Sequence, residues 1–270
     1  MASTQGKDRI TITLRKDLLP LLDRFVDGDR IRNRSHAIEF ILGQHLGLGI
    51  QHAVILAGSE KDTVHALTRV RNRPVIAYLF DMLKEHGIRD VLIVVDKNGD
   101  KLREYLGNAM QWGLKVEYIE DTVASGTAHA LSLVQSKISQ SFLLIYGDVL
   151  ADLNLNDFLE YHQQCDTGAT VALTYKKASG DYGVARMEGS RVASFEEKPG
   201  ETGDHGLVNA GIYLLDKTIF NYMKEDSKSL EDEVLPAMAA AGALCGYPFH
   251  GKWFDVSEPS EQAAAEKTWR

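Results

Sequence analysis

Two hydrophobic periods divide the chain. Residues 9–14 alternate strictly, with Ile10, Ile12 and Leu14 on one side and Arg9, Thr11 and Thr13 on the other, which predicts a half-buried strand. After Arg15 the period lengthens: Leu18, Leu21, Leu22, Phe25 and Val26 share one helical stripe, and Gly28 within Asp27-Gly28-Asp29 ends it. A second stripe of Ala37, Ile38, Ile41, Leu42 and Leu46 follows Asn33, a good N-cap, and runs to Gly47 and Gly49. One strand and two helices in so short a stretch cannot pair the strand or bury both stripes, so residues 1–49 read as a module that pairs with a second copy.

From residue 50 the pattern alternates strands and helices. Val54-Ile55-Leu56, closed by Ala57-Gly58, reads as a parallel strand buried on both faces. The helix carrying Tyr78, Leu79, Met82 and Leu83 comes next, followed by strands at 92–95, at 116–119 and at 142–146, the last ending in Gly147-Asp148. Such alternation predicts an α/β domain over residues 50–270, with right-handed crossovers and a ligand crevice at the carboxyl ends of the strands. Gly58 stands where such a domain turns from strand to helix and holds phosphates. Between Gly58 and His65, however, come only Ser59, Glu60, Lys61, Asp62, Thr63 and Val64, with no second glycine and two acids.

Charge sharpens the division. Of the formal net charge of -8, residues 1–49 carry +2 and the remainder -10. A basic head on an acidic body points to an anionic partner for the head, and solubility alone explains the asymmetry as well. Cys165 and Cys245 are isolated, with no CxxC and no metal-ligand spacing, so both are expected as reduced core thiols. No apolar run reaches the length of a membrane span and the first residues lack the apolar core of a signal peptide, so a soluble cytoplasmic protein is expected.

The strand-helix-helix order of residues 8–46, with Asn33-Arg34-Ser35-His36-Ala37-Ile38 opening the second helix, resembles the ribbon-helix-helix repressors of the Arc and MetJ kind. The resemblance implies a homodimer whose paired strands enter the major groove of a double-stranded operator, with Arg9, Thr11 and Thr13 facing base edges. Arg32, Asn33 and Arg34 would hold a backbone phosphate. With a charge of only +2, tight binding needs two or more dimers on adjacent half-sites, possible as a tetramer. The bland reading makes the strand a dimerisation device only.

Further on, Gly126-Thr127-Ala128-His129-Ala130-Leu131 opens a helix, Gly147-Asp148 ends a strand, and Tyr182-Gly183-Val184 precedes Phe195-Glu196-Glu197-Lys198-Pro199. Val208-Asn209-Ala210-Gly211-Ile212-Tyr213 and Trp253-Phe254-Asp255-Val256 follow. In this order they resemble the sugar-1-phosphate nucleotidyltransferases, which make nucleotide sugars, across residues 52–266. The resemblance implies a Rossmann-like, GT-A-like α/β fold with the small ribbon-helix-helix domain added in front. It places Gly58, Gly126 and Thr127 against the nucleotide and Gly183, Glu197, Lys198 and Asn209 around the sugar and its phosphate. Asp148 and Asp255 would hold Mg²⁺.

The family aligns a triphosphate with a Gly-rich loop bearing an Arg and followed by a Lys. Here the loop is short, its Arg and second glycine are absent, and His65 occupies the Lys position; Lys61 or Arg69 substitutes in part. Removing one such donor costs about 10² to 10³ in rate. Hence no residue is assigned a catalytic role, and the sequence is read as a DNA-binding transcriptional regulator whose impaired nucleotidyltransferase-like body senses a nucleotide or nucleotide sugar. The alternative is an active, Mg²⁺-dependent sugar-1-phosphate nucleotidyltransferase with an N-terminal oligomerisation or DNA-tethering domain. A scaffold without ligand or chemistry is the third reading.

Overall fold

A computed structural model describes residues 10–26, 28, 31–45, 50–58, 64–177, 182–200 and 205–269. Arg9, Lys61, the rest of the loop from Ser59 to Thr63, and the glycines at 47 and 49 lie outside the described residues. The chain divides into two compact units, Met1–Gly49 and Ile50–Arg270.

In the first unit, a short turn at Lys16–Leu18 leads into helix α1 (Leu19–Asp23), and helix α2 (Arg34–His45) follows. Asn33 accepts a hydrogen bond from the backbone N–H of His36 at 2.9 Å, the capping role its position predicts. The expected strand over 9–14 is not formed among the described residues: 10–14 have no ladder partner among them, and alternation alone supplies no hydrogen bonds. Ile10, Ile12, Leu21, Phe25 and Leu42 stand exposed, while Leu22 and Ala37 are buried.

The second unit is built on a nine-stranded mixed sheet. Its first half is the predicted α/β pattern. Strand β1 (His52–Leu56) leads to a small hairpin of β2 (Arg69–Val70) and β3 (Arg73–Pro74), then helix α3 (Val75–Glu85) and strand β4 (Asp90–Val95). Helix α4 (Gly99–Leu106), strand β5 (Lys115–Glu120), helix α5 (Thr127–Ser132) and strand β6 (Phe142–Tyr146) complete it. β1 lies between β4 and β6, parallel to both, and β4 pairs in parallel with β5. The apolar runs are buried on both faces because successive residues point to opposite sides. Val54, Leu92, Val94 and Leu144 enter one core with α5; Ile55, Ile93, Leu143 and Ile145 enter the other with α3.

The second half departs from the alternation. Strand β7 (Val149–Ala151) and helix α6 (Leu155–Gln164) precede β8 (Ala169–Lys177), β9 (Val184–Glu188), β10 (Arg191–Glu196) and the long β11 (His205–Leu215). A wide-pitched turn, Leu230–Val234, runs into helix α7 (Leu235–Ala240), then β12 (Leu244–Phe249), β13 (Trp253–Asp255) and helix α8 (Pro259–Thr268). The main sheet runs β5-β4-β1-β6-β11-β8-β12-β10-β9, and β11 is antiparallel to both β6 and β8. A uniformly parallel sheet is therefore corrected to a mixed one, because β8 to β11 follow one another by loops too short to hold crossover helices. β13 pairs antiparallel with β7 beside the sheet.

The two cysteines are likewise corrected. Cys165 at the end of α6 and Cys245 on β12 are joined as a disulfide, with Cα atoms 6.5 Å apart. β12 lies in register beside β8, Cys245 opposite Thr170, and this brings together residues 80 positions apart that no local spacing connects. Among the described residues no helix is long and apolar enough to cross a membrane.

Candidate active site

The sequence-predicted pocket residues gather at the carboxyl ends of β1 and β6 and the adjoining edge of β11. Gly147 donates its N–H to the Leu56 carbonyl at 2.8 Å, tying the end of β6 to the end of β1. A Cβ at Gly147 would meet Leu56, Ala57 and Ala66 at 3.1–3.2 Å, so the two strand ends come this close only without a side chain there. Gly58 follows directly and faces open space.

Asp148 continues from Gly147 into β7, and its carbonyl accepts from Val256 N–H at 2.9 Å. Asp255 on β13 is in register with Val149. The two half-buried acids therefore occupy neighbouring positions on paired strands. Asp255 Oδ1 accepts from the Ser257 N–H at 2.9 Å and its hydroxyl at 2.6 Å, which fixes that carboxylate's orientation. Among the described residues no cluster of three or more His, Cys, Asp or Glu surrounds a common metal position. Two carboxylates suit Mg²⁺, which keeps waters and takes its remaining ligands from substrate phosphates.

On the other side, Gly183 packs against Glu197: a Cβ at Gly183 would stand 2.6 Å from Glu197 Oε2 and 2.7 Å from Phe195 Cζ. Glu197 Oε2 is buried with no hydrogen-bond partner, and the carboxyl's pKa is raised to about 7, first by desolvation and then by the charge of Glu231. Lys198 is exposed and holds a left-handed backbone, φ 43°. Asn209 N–H donates to the Gly183 carbonyl at 2.8 Å, and Asn209 Nδ2 donates to Tyr213 OH at 2.6 Å. Tyr213 OH lies 3.4 Å from Tyr146 OH, which in turn donates to Glu231 Oε1. Burial holds both phenols far above their ordinary pKa, so they remain donors. Thr127 donates to Glu231 Oε2 at 2.8 Å. A continuous polar path thus joins Thr127 to Gly183. Of its middle members, Tyr213 stands in the Val208–Tyr213 motif and Tyr146 ends the strand before Gly147-Asp148, but the sequence assigns neither a role, and Glu231 is one acid among the three of Leu230-Glu231-Asp232-Glu233-Val234.

The family model described as Nucleotidyl transferase matches residues 52–268. The chain belongs to the nucleotidyl transferase family. Within it, the chain is 27% identical over 222 residues to the Mannose-1-phosphate guanylyltransferase catalytic subunit beta of Dictyostelium discoideum, covering 77% of this chain and 62% of that protein. It is 26% identical over 249 residues to the protein named "Probable glucose-1-phosphate cytidylyltransferase" of Bacillus subtilis (strain 168), covering 80% and 95%. Among solved structures, HddC from Yersinia pseudotuberculosis superposes with a TM-score of 0.71 at 21% identity, over 82% of this chain and 100% of that one, a likeness of fold. The chain spans less than two thirds of the Dictyostelium relative and 54% of the Danio rerio one.

These findings overturn the reading as a DNA-binding regulator with an impaired, sensing body: the nucleotidyl transferase relatives carry the names of enzymes, and none names a DNA partner. In the first unit Arg34 forms two hydrogen bonds to Asp23 at 2.7 and 2.8 Å, and these hydrogen bonds, with the guanidinium's charge, hold the Asp23 carboxyl below its usual range. Thr11, Thr13 and Arg32 stand exposed, the ordinary state of surface side chains. In the loop region His65 opens a short turn, His65–Leu67, and Arg69 donates to the Asn72 carbonyl at 2.7 Å, serving the β2–β3 hairpin.

Proposed function

We propose that residues 50–270 form an active, Mg²⁺-dependent sugar-1-phosphate nucleotidyltransferase: a sugar 1-phosphate attacks the α-phosphorus of a nucleoside triphosphate, giving a nucleotide sugar and pyrophosphate. The observation that carries this reading is the family match over residues 52–268, with relatives named as nucleotidyltransferases of mannose and glucose 1-phosphates. Asp148 and Asp255 would hold the metal, which neutralises phosphate charge when bound. Gly58, Gly126 and Thr127 receive the nucleotide. Gly183, Glu197, Lys198 and Asn209 receive the sugar phosphate: Glu197 and Asn209 present a buried polar rim, and exposed Lys198 supplies a cation. Little covalent work falls to the protein in such a transfer, so positioning dominates. This also explains why a short Gly58–His65 segment need not abolish turnover, since alignment draws on residues from several other segments of the chain.

The finer reading of residues 1–49 as a ribbon-helix-helix fold is supported by the alternating 9–14 stretch and the helices Leu19–Asp23 and Arg34–His45. The test of the activity is pyrophosphate release by the purified full chain, with each common nucleoside triphosphate combined with glucose or mannose 1-phosphate. Metal-dependent release with at least one pair is expected; silence across the panel overturns the reading.

A further inference from the structure

The segment 228–231 has no place in the motifs, yet it lies against the start of α5 and reaches Tyr146 at the end of β6. Gly126 has φ 123°, and a Cβ there would overlap the carbonyl of Lys228. Ala128 N–H donates to that same carbonyl at 2.9 Å. Leu230 N–H donates to Thr127 Oγ1 at 2.9 Å, and Thr127 Oγ1 donates in turn to Glu231 Oε2 at 2.8 Å. Ser229 Oγ also donates to Oε2, at 3.2 Å, while Oε1 takes the hydroxyl of Tyr146 on β6. One carboxylate thus receives three hydroxyls, from the first residue of α5, from its own segment and from the central sheet.

We propose that Glu231 is a positioning residue that clamps the Gly126-Thr127 turn to Tyr146 and Tyr213, and so sets the distance and orientation of the nucleotide relative to the sugar phosphate. The proposal rests on the function given above. The physical reason is that the two substrates lie on separate elements, α5 on one side and β9 to β11 on the other. No backbone ladder joins α5 to those strands, so side chains must fix the relative placement. The charge of Glu231 has a second effect on the sugar side. Glu197, the residue after β10, faces Glu231, Lys198, Asp232 and Tyr213; Glu231 is the largest of the charges that raise its pKa, after desolvation.

Glu231→Gln keeps the shape, removes the charge and turns one acceptor oxygen into a donor. With the best substrate pair, kcat/KM should fall about 10²-fold, the scale of an ångström of misplacement. The pH-rate midpoint belonging to Glu197 should move below about 7 whichever of its forms is active, because a neighbouring negative charge has gone. That shift reports the lost charge alone; a purely structural role would lower the melting temperature and leave kcat/KM per folded molecule unchanged. Tyr146→Phe removes one hydroxyl from the clamp and keeps the ring, so it should reproduce part of the loss in kcat/KM with an unchanged melting temperature, and it serves if Glu231→Gln does not fold. Wild-type turnover with unaltered kcat/KM in both variants overturns the clamp and leaves the function standing. If the wild type shows no turnover, calorimetry with UDP-glucose, dTDP-glucose, CDP-glucose and GDP-mannose reads the clamp as at least tenfold weaker binding by Glu231→Gln. Absence of binding by the wild type to all four removes the function and the clamp together.

Discussion

Replacing Glu197 by glutamine should make the protein more stable at alkaline pH while weakening its use of the sugar phosphate. The carboxyl is half-buried, one oxygen lacks a partner, and its pKa stands at about 7 instead of the ordinary 4.5. Below about pH 4.5 the group is protonated whether the chain is folded or not, and it contributes no pH dependence. Between 4.5 and about 7 the folded protein keeps a proton that the unfolded chain has lost, so stability declines as pH rises; above about 7 the fold carries the whole cost of a poorly solvated charge. At about 1.36 kcal/mol per pH unit the interval from 4.5 to about 7 corresponds to at most about 3.4 kcal/mol, and screening by the solvent-facing half of the side chain reduces this to about 1–2 kcal/mol. For a domain of this size that is a melting-temperature difference of about 4 °C. Thermal melts of wild type and Glu197→Gln at pH 5 and pH 8 isolate the effect, because the other titrating groups cancel in the comparison. The wild type should lose about 4 °C more than the variant between the two pH values. Parallel losses would show that Glu197 is solvated in the folded protein and that the argument from burial is wrong.

Other expectations follow from the same geometry. Gly183→Ala places a methyl on Glu197 and Phe195; overpacking should cost about 1–3 kcal/mol in denaturant melts and raise KM for the sugar phosphate more than that for the triphosphate. Asp148→Asn leaves the Val256 backbone hydrogen bond in place but removes one metal carboxylate, so the Mg²⁺ concentration for half-maximal rate should rise at least tenfold with an unchanged melt. Reducing the Cys165–Cys245 disulfide, which closes a loop of 80 residues, should lower stability by about 2–4 kcal/mol, read as the denaturation midpoint with and without dithiothreitol; an unchanged midpoint contradicts a structural disulfide.

Much of the α/β half was legible because its strands are buried on both faces and its turns carry glycine. The apolar run from Val54 to Leu56, the Gly147-Asp148 strand end and the helix start at Gly126-Thr127 need only local chemistry to be recognised. The antiparallel placement of β11 was hidden, since its residues are apolar on both faces like those of a parallel strand. Glu231 was hidden for another reason: its partners are about 85 and 104 residues away, and an acid beside two other acids reads as a solvated helix start. The strand expected at 9–14 shows the converse, a local pattern without a ladder partner among the described residues. The reading of impaired catalysis gave a single loop the weight of the whole pocket, whereas the polar path from Thr127 to Gly183 runs through Glu231, Tyr146, Tyr213 and Asn209, which belong to other segments of the chain.

The most direct test is to mix the full chain with Mg²⁺, a sugar 1-phosphate and a nucleoside triphosphate, and to follow the nucleotide sugar by chromatography beside the pyrophosphate. The account predicts both products in equal amounts, with formation abolished by chelating the metal. Finding neither product with any triphosphate, from a protein whose melt shows it folded, would contradict it.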